Sequence, residues 1–148
     1  MELGATALHA SPPVGREQPK HKPIQVGPVT LADNVILAPM TGVSDLPFRK
    51  LVKSFGAGLV VSEMIASKAV VLETRNALRM AAFEPVERPF SVQLAGCEPE
   101  VMAEAAKLNQ DRGADIIDIN FGCPVKKVVN GFAGSSLMRD EPLAAAIL

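Results

Sequence analysis

The chain has 148 residues, a hydrophobic content of 48% and a formal net charge of -1 at pH 7. Such a chain can bury a core of single-domain size, but its charge gives no overall field for holding a polyanion, so nucleic-acid contacts would depend on local patches. Its two cysteines, Cys97 and Cys123, are too few for a disulfide scaffold and favour a reducing, cytosolic setting. No apolar run approaches the roughly 20 residues that cross a bilayer, so neither export nor membrane insertion is expected.

The predicted elements begin after an N-terminal tail. Residues 1–23 mix prolines with scattered charges and have no sustained apolar period, which predicts a flexible segment. Residues 24–148 are predicted to form one ordered domain. Between Ile24 and Leu37, two apolar runs flank the letters LADN and predict a short hairpin that leads into a strand over VILAPM.

A change of period after that strand predicts the first helix. Its apolar positions recur at i, i+3, i+4 and i+7 and are expected to face the core: Phe48, Leu51, Val52 and Phe55. The basic residues between them are expected to face solvent: Arg49, Lys50 and Lys53. Gly56 and Gly58 would end this helix.

Strands and helices then alternate to the end of the chain. The predicted order is a strand over LVVSEM, a helix from about Ile65 to Met80, a strand over PFSVQLAG, a helix from about Pro99 to Arg112, a strand over ADIIDIN and a helix from near Glu141. In the helix that ends at Gly113, the expected buried face holds Val101, Ala105 and Leu108. Short connections between alternating elements predict right-handed crossovers, a parallel sheet and therefore the α/β class.

Strand alternation bears on the choice between a barrel and an open sheet. In PFSVQLAG the apolar residues share one face, whereas Ser91, Gln93 and Ala95 share the other. In ADIIDIN, Ile117 and Ile119 likewise share one face, opposite Asp118 and Asn120. Polar residues near the carboxyl ends of successive strands are typical of a barrel with its active site there, although an open sheet with a crevice at those ends fits the same pattern.

Three strand ends carry the candidate site. They are the segment Pro39, Met40 and Thr41, the side chain of Gln93, and the segment from Asn120 to Pro124 that contains Cys123. Parallel strands bring such ends to one rim, where a backbone N–H near Met40, an amide and a thiol could address one planar ligand.

Each of these residues also has a structural interpretation. A lone cysteine such as Cys123 is more often a small buried hydrophobe than a catalyst, and Gln93 fits a hydrogen-bonded core amide equally well. Asn120 is a common turn former at a strand end, and Met40 is expected in the core. The adjacent Lys126 and Lys127 (letters KK) are more often a solvated pair than a phosphate clamp. The sequence has no phosphate-binding glycine loop and no histidine-rich metal cluster.

Four strings of the sequence resemble the tRNA-dihydrouridine synthase family, particularly its bacterial nitrogen-regulation-3-like branch. They are APMTGVSDLPFR, SEM, PFSVQLAG and DIIDINFGCPVKKVVNGFAGSSLMRD. The resemblance extends from about Ile24 to the last residue. It implies a flavin enzyme on a (β/α)8 barrel that reduces the C5=C6 bond of uridines in tRNA, with FMN as cofactor and NADPH or NADH as reductant.

The resemblance also implies roles for individual residues. In this family, reduced FMN gives a hydride to C6 of the base and a cysteine supplies the proton at C5; Cys123 matches that cysteine. Because thiols titrate near pH 8.5, a thiol is mostly protonated at neutral pH and suits this task. Pro39, Met40 and Thr41 match the flavin-contacting loop, and Gln93 matches the side chain that bonds the edge of the flavin ring. Asn120 matches a position near flavin and base.

Length limits what the resemblance implies. A complete barrel takes about 250 residues or more, and this sequence contains four βα units of eight. We therefore expect the N-terminal half of the catalytic barrel, inactive on its own and prone to self-association through an exposed sheet edge. Phe132 stands where the family often has a smaller residue. Two alternatives stay open, namely another FMN barrel acting on a free pyrimidine, such as a dihydroorotate dehydrogenase relative, and a non-catalytic half-barrel.

Overall fold

A computed structural model describes residues 22–148 of the chain. Most of the predicted tail, up to residue 21, lies outside the described residues. The strands of the described part are β1 (Ile24–Val26), β2 (Val29–Leu31), β3 (Ile36–Leu37), β4 (Leu59–Val61), β5 (Ile65–Ala66), β6 (Phe90–Ala95) and β7 (Ile116–Ile119). Its helices are α1 (Leu46–Ser54), α2 (Ser67–Val71), α3 (Arg75–Ala81), α4 (Pro99–Asp111), α5 (Lys126–Val129) and α6 (Glu141–Ile147).

The main sheet is parallel and follows the order of the chain. Strand β3 pairs with β4, β4 with β6, and β6 with β7. The short β5 pairs with the carboxyl end of β6, on the side opposite β7. Because each strand lies beside its predecessor and the order never reverses, the sheet has no topological switch point of the doubly wound kind. The fold is therefore α/β and corresponds to part of a (β/α)8 barrel, as predicted.

The two faces of the sheet are covered differently. Helix α4 packs on one face, where Met102 and Ala105 join Phe90, Val92 and Leu94 in the main core. On the other face, the hairpin of β1 and β2 contributes Leu31, which packs with Leu59 and Val61 of β4 and with Ile116 of β7. The predicted alternation of β6 is confirmed. The hairpin covers part of this second face. Gln93 and Asp118, which pair on neighbouring strands, lie closer to the carboxyl ends of β6 and β7.

The hairpin closes earlier than predicted. Its turn is Gly27 and Pro28, between the paired residues Val26 and Val29. Of the letters LADN, Leu31 is the last residue of β2, and the other three follow the hairpin instead of forming its turn. Gly27 has φ +54°, which glycine adopts without steric cost, and proline fixes the next φ near -65°. This combination suits a two-residue turn of type II′, whose twist matches that of the strands.

The predicted buried face of α1 is right for Val52, which packs against the main core, but wrong for other residues. Arg49, expected in solvent, is only 1% exposed, whereas Leu51 and Phe55, expected in the core, are exposed. The reason is that the Arg49 guanidinium has partners inside the protein. It donates to the Glu87 carboxylate at 2.7 Å and to the Ser44 and Ala82 carbonyls, and it lies over the Phe90 ring. A buried charge is tolerated when it is paired in this way.

Two further helix predictions need correction. The helix predicted from Ile65 to Met80 is replaced by β5, α2 and α3, and Glu73, with φ 49°, lies in the break between the two helices. In α4 Ala105 is buried as predicted and Leu108 packs against the main core, but the other buried residues are Met102 and Asn109. The glycine stop at Gly113 and the start of α6 at Glu141 are confirmed, but α5 and the 3-10 turn Gly134–Arg139 were not predicted.

The described sheet ends at β3 on one side and β7 on the other. Val35 and Ile36, at the start of β3, are exposed apolar side chains at the first of these edges. Self-association through a sheet edge stays a prediction. Within residues 22–148, no helix has the length and apolar character that crossing a bilayer requires.

Candidate active site

The amide of Gln93 lies at the centre of the candidate site. Gln93 points to the polar face of β6 and is 5% exposed. Its Nε2 donates to Oδ2 of Asp118 at 2.6 Å, and its Oε1 accepts from Nδ2 of Asn120 at 3.0 Å. These two bonds use one of its two N–H donors and one of its two oxygen lone pairs, so one of each remains.

Asn120 shapes the loop that carries the predicted catalytic thiol. Its Oδ1 accepts from the backbone N–H of Gly122 at 3.1 Å and from that of Cys123 at 2.8 Å. This arrangement is the turn-forming role that Asn commonly plays after a strand. Because Nδ2 of the same side chain bonds Gln93, Asn120 ties the cysteine loop directly to β6. Cys123 is a free, partly exposed thiol, as is Cys97.

The backbone at Gly134 and Ser135 packs against the backbone of Cys123. The carbonyl oxygen of Cys123 accepts from the N–H of Ser135 at 3.0 Å. Gly134 has φ +61°, and a Cβ on it would lie 2.6 Å from that carbonyl oxygen and 2.9 Å from Cγ1 of Val128. Only glycine allows this approach, so the segment after α5 closes back on the cysteine.

The loop after β3 is held by its own internal bonds. The N–H of Met40 donates to Oγ of Ser44 at 2.9 Å, and the Met40 carbonyl accepts from the N–H groups of Val43 and Ser44. A neighbouring hydroxyl thus takes the N–H of Met40, and a backbone donor toward a ligand near Met40 stays a prediction. Met40 is also exposed and not in the core, as is Thr41, while Pro39 is half-buried.

Ser62 and Glu63, directly after β4, join these segments. Oγ of Ser62 accepts from the Gln93 N–H at 2.9 Å and donates to the Glu63 carbonyl at 2.8 Å. Oε2 of Glu63 accepts from the N–H of Gly42 at 2.6 Å. A continuous path of hydrogen bonds and covalent links thus runs from Gly42 through Gln93 to the Cys123 loop. The structure brings the three predicted strand ends together at one rim.

Several residues of this rim were missed by sequence reasoning. Ser62 and Glu63 entered only as letters of the string SEM, and Asp118 only as a polar residue of its strand. Their position in the sequence was a usable signal. Ser62 and Glu63 come directly after the buried strand β4, as Asn120 comes directly after β7. No local pattern indicated Arg49, whose Nη1 donates to the Ser44 carbonyl at 3.0 Å and so supports the Met40 loop from below.

The rim has room and chemistry for a planar, polar ligand. Gly42 and Gly122 have open space where a side chain would stand, so a ligand can approach the backbone at both loops. The unused donor and acceptor of Gln93 match the alternating acceptors and donors along the edge of a flavin ring. The exposed Met40 and Thr41 add an apolar and a hydroxyl surface. These observations fit FMN, while the assigned roles of the individual residues stay predictions.

Fold and rim together define the class: an α/β barrel segment whose polar groups gather at the carboxyl ends of parallel strands, as in barrel enzymes. A sequence model described as dihydrouridine synthase (Dus) matches residues 36–148. The chain belongs to the dihydrouridine synthase family.

Curated relatives are similar over most of the chain. A probable tRNA-dihydrouridine synthase of Rickettsia bellii is 62% identical over 125 residues, which cover 84% of this chain and 38% of the relative. The tRNA-dihydrouridine synthase B of Xanthomonas campestris is 56% identical and that of Pseudomonas aeruginosa 50% identical, with the same two shares covered. The chain thus spans 38% of the length of these relatives.

Proposed function

We propose that this chain forms the N-terminal half of the catalytic barrel of a flavin-dependent tRNA-dihydrouridine synthase, an oxidoreductase that reduces the C5=C6 bond of uridine. Family membership supports the reaction class, and the names of the relatives support tRNA as the substrate. The observation that carries the proposal is the hydrogen-bonded path that joins Gln93, Asn120 and the Cys123 loop at one rim. The activity is proposed for a protein that combines these residues with the remaining part of the barrel.

The proposed cofactor is FMN. Gln93 would hold the edge of the ring with its unused amide donor and acceptor, and Pro39, Met40 and Thr41 would line the ring from the loop after β3. When bound and reduced, FMN supplies the hydride for C6, with NADPH or NADH as the source of electrons. The Asp118 carboxylate fixes the orientation of the Gln93 amide, because it accepts from Nε2 and so determines which end of the amide is the donor.

Cys123 is the proposed general acid. Its thiol would donate a proton to C5 as the hydride arrives at C6, which leaves a thiolate to be reprotonated from solvent. The partial exposure of Cys123 is consistent with both steps, since the sulfur must reach the base and then exchange its proton with water. Asn120 supports this role indirectly, because its two bonds to backbone N–H groups fix the turn on which the thiol is carried.

The proposed substrate is a uridine turned out of a folded tRNA. A base inside a stacked RNA cannot reach a pocket at the rim, so it must be extruded, and stacking on the flavin would help to hold it. Lys126 and Lys127 are exposed immediately after the cysteine loop, where they could contact phosphate groups beside the extruded base. We propose the cytoplasm as the location of this tRNA-modifying enzyme.

A hybrid protein tests the proposal. In this hybrid, residues of the present chain replace the matched region of the Rickettsia bellii relative, which shares 62% identity over that region. We expect the hybrid to bind FMN, with the absorbance bands of a flavoprotein, and to form dihydrouridine in tRNA from cells that lack their own synthases. A flavin-bound hybrid that reduces free pyrimidines but not tRNA would favour the dihydroorotate dehydrogenase-like alternative. A folded hybrid without flavin would favour a non-catalytic half-barrel.

A further inference from the structure

Glu63 is a nearly buried carboxylate with an unusual set of partners. It is 8% exposed, and it lies directly after β4 at the rim. Its Oε2 accepts a short hydrogen bond, 2.6 Å, from the N–H of Gly42, which lies 21 residues earlier in the chain. Within residues 22–148, no cation lies within ion-pair distance of Glu63, although Arg49 and Arg79 line the same cleft of about 320 Å³.

Stability alone gives a weak reason for this arrangement. Removing a carboxylate from water is costly, and a single hydrogen bond to a backbone N–H compensates only part of that cost. Glu87 shows the contrasting case in the same protein, because it is fully buried but paired with the Arg49 guanidinium. A carboxylate that is buried against a backbone N–H without a cation fits a role in fixing the position of that backbone.

The position that Glu63 fixes is the loop after β3. Gly42 has φ +78° and follows directly on Pro39, Met40 and Thr41, the residues proposed to line the flavin ring. The neighbouring Ser62 holds the N–H of Gln93. The end of β4 therefore sets the distance between the two proposed flavin-contacting segments, although neither Ser62 nor Glu63 needs to touch the flavin itself.

We propose that Glu63 is a positioning residue, which holds the Pro39 to Gly42 segment in register with Gln93 through the Gly42 N–H. The inference rests on the proposed function for its consequence, FMN binding, but its structural part can be tested in the ligand-free chain. A hydrogen bond between a side-chain oxygen and a backbone N–H changes a local opening equilibrium by up to roughly tenfold, whether the acceptor is a carboxylate or an amide. FMN affinity should fall by a similar factor when the bond is lost, because the loop must then be ordered on binding.

Three substitutions at Glu63 separate reach, charge and hydrogen bonding. Glu63→Gln keeps a side-chain oxygen that can accept from the N–H of Gly42. Glu63→Asp keeps the charge, but its side chain is one methylene shorter and the carboxylate lies farther from Gly42. Glu63→Leu removes the acceptor. Thr74→Ala is the matched control for general destabilisation. It removes the hydroxyl that caps the N-terminus of α3, where Oγ1 of Thr74 accepts from the N–H of Ala77. All four changes are made in the present chain and in the hybrid protein.

Two measurements follow. In the ligand-free chain, amide hydrogen exchange at Gly42 should accelerate by up to about tenfold in Glu63→Leu and Glu63→Asp and stay near the wild-type rate in Glu63→Gln and Thr74→Ala. In the hybrid, the FMN dissociation constant should rise by up to about tenfold in the Leu and Asp variants and stay within about twofold in the other two. If Glu63→Leu does not fold, the Asp variant alone decides the outcome.

The outcomes distinguish this inference from the proposed function. Wild-type exchange at Gly42 in both the Leu and Asp variants would overturn the positioning role, as would unchanged FMN affinity in those variants. Loss of affinity in Thr74→Ala to the same degree would also overturn it, since general destabilisation would then explain the effect. If the wild-type hybrid binds no FMN at all, the proposed function fails, while the exchange measurement still decides whether Glu63 positions the loop.

Discussion

Replacing Asn120 by alanine tests whether one side chain holds the cysteine loop to the sheet. The change removes three hydrogen bonds, with Gly122 N–H, Cys123 N–H and Gln93 Oε1. Each such bond contributes about 0.5–1.5 kcal/mol net, and the Gly122 contribution is discounted because that residue is exposed to water. We expect Asn120→Ala to lower the free energy of unfolding by about 2 kcal/mol.

The assay combines urea unfolding with amide hydrogen exchange at Cys123. Asn130→Ala is the control, because the same chemical change is made at an exposed position ten residues later and should stay within about 0.5 kcal/mol. Asn120→Asp retains the acceptor for both backbone N–H groups but loses the donor to Gln93. It should therefore keep Cys123 protected from exchange while still lowering stability.

Two results would contradict the proposed role of Asn120 in holding the loop. If Asn120→Ala unfolds with wild-type stability and its Cys123 N–H exchanges at the wild-type rate, the three bonds do not hold the loop. Equal acceleration of exchange in Asn120→Ala and Asn120→Asp would show that the Gln93 bond, and not the turn, protects the cysteine.

Three further changes test other features by urea unfolding. Gly134→Ala should lower the free energy of unfolding by about 2 kcal/mol or more, because the new Cβ would meet the Cys123 carbonyl oxygen at 2.6 Å and the backbone is in the left-handed conformation. Gly131→Ala, whose Cβ would lie 3.4 Å from the nearest atom, should lower it far less. Equal losses of stability would contradict the packing argument. Phe132 is 72% exposed and has φ 56°, a left-handed conformation that is strained for any residue but glycine. Phe132→Gly should therefore raise the free energy of unfolding by up to about 1 kcal/mol. A decrease would indicate that contacts of the Phe132 ring outweigh the strain. Burial lowers the pKa of Lys53 below 10.5, so the unfolded chain binds more protons than the folded chain just below pH 10.5. The free energy of unfolding of wild type, relative to that of Lys53→Met, should therefore increase as the pH rises through that range. A difference that does not change with pH would contradict this prediction.

The sequence was a good guide wherever structure follows from local periodicity. The main strands β4, β6 and β7, helix α4 and its glycine stop were predicted because apolar alternation, helical spacing and glycine punctuation are local signals. The convergence of Gln93 with the Asn120 segment was predictable for the same reason, since parallel strands place their carboxyl ends at one edge.

The wrong predictions involve partners that are distant in the sequence. The burial of Arg49 depends on Glu87, 38 residues later, and no property of the helix itself reveals that partner. The bond between Gly42 and Glu63 spans 21 residues in the same way. The break at Glu73 had a local signal that was missed, because the four polar residues 73–76 interrupt the apolar positions and Thr74 caps α3. The pairing of Ile65 and Ala66 with β6, which removes the first residues from the predicted helix, is again a distant contact.

The rate at which tRNA reoxidises the reduced flavin in the hybrid protein tests the central claim most directly. With the flavin reduced in advance, Cys123→Ala should bind FMN as tightly as the unsubstituted hybrid but form dihydrouridine at least about 100-fold more slowly, the scale of a lost general acid. Cys97→Ala, which removes the other thiol of the chain, should react at the unsubstituted rate. Undiminished turnover in Cys123→Ala would contradict the account of this site.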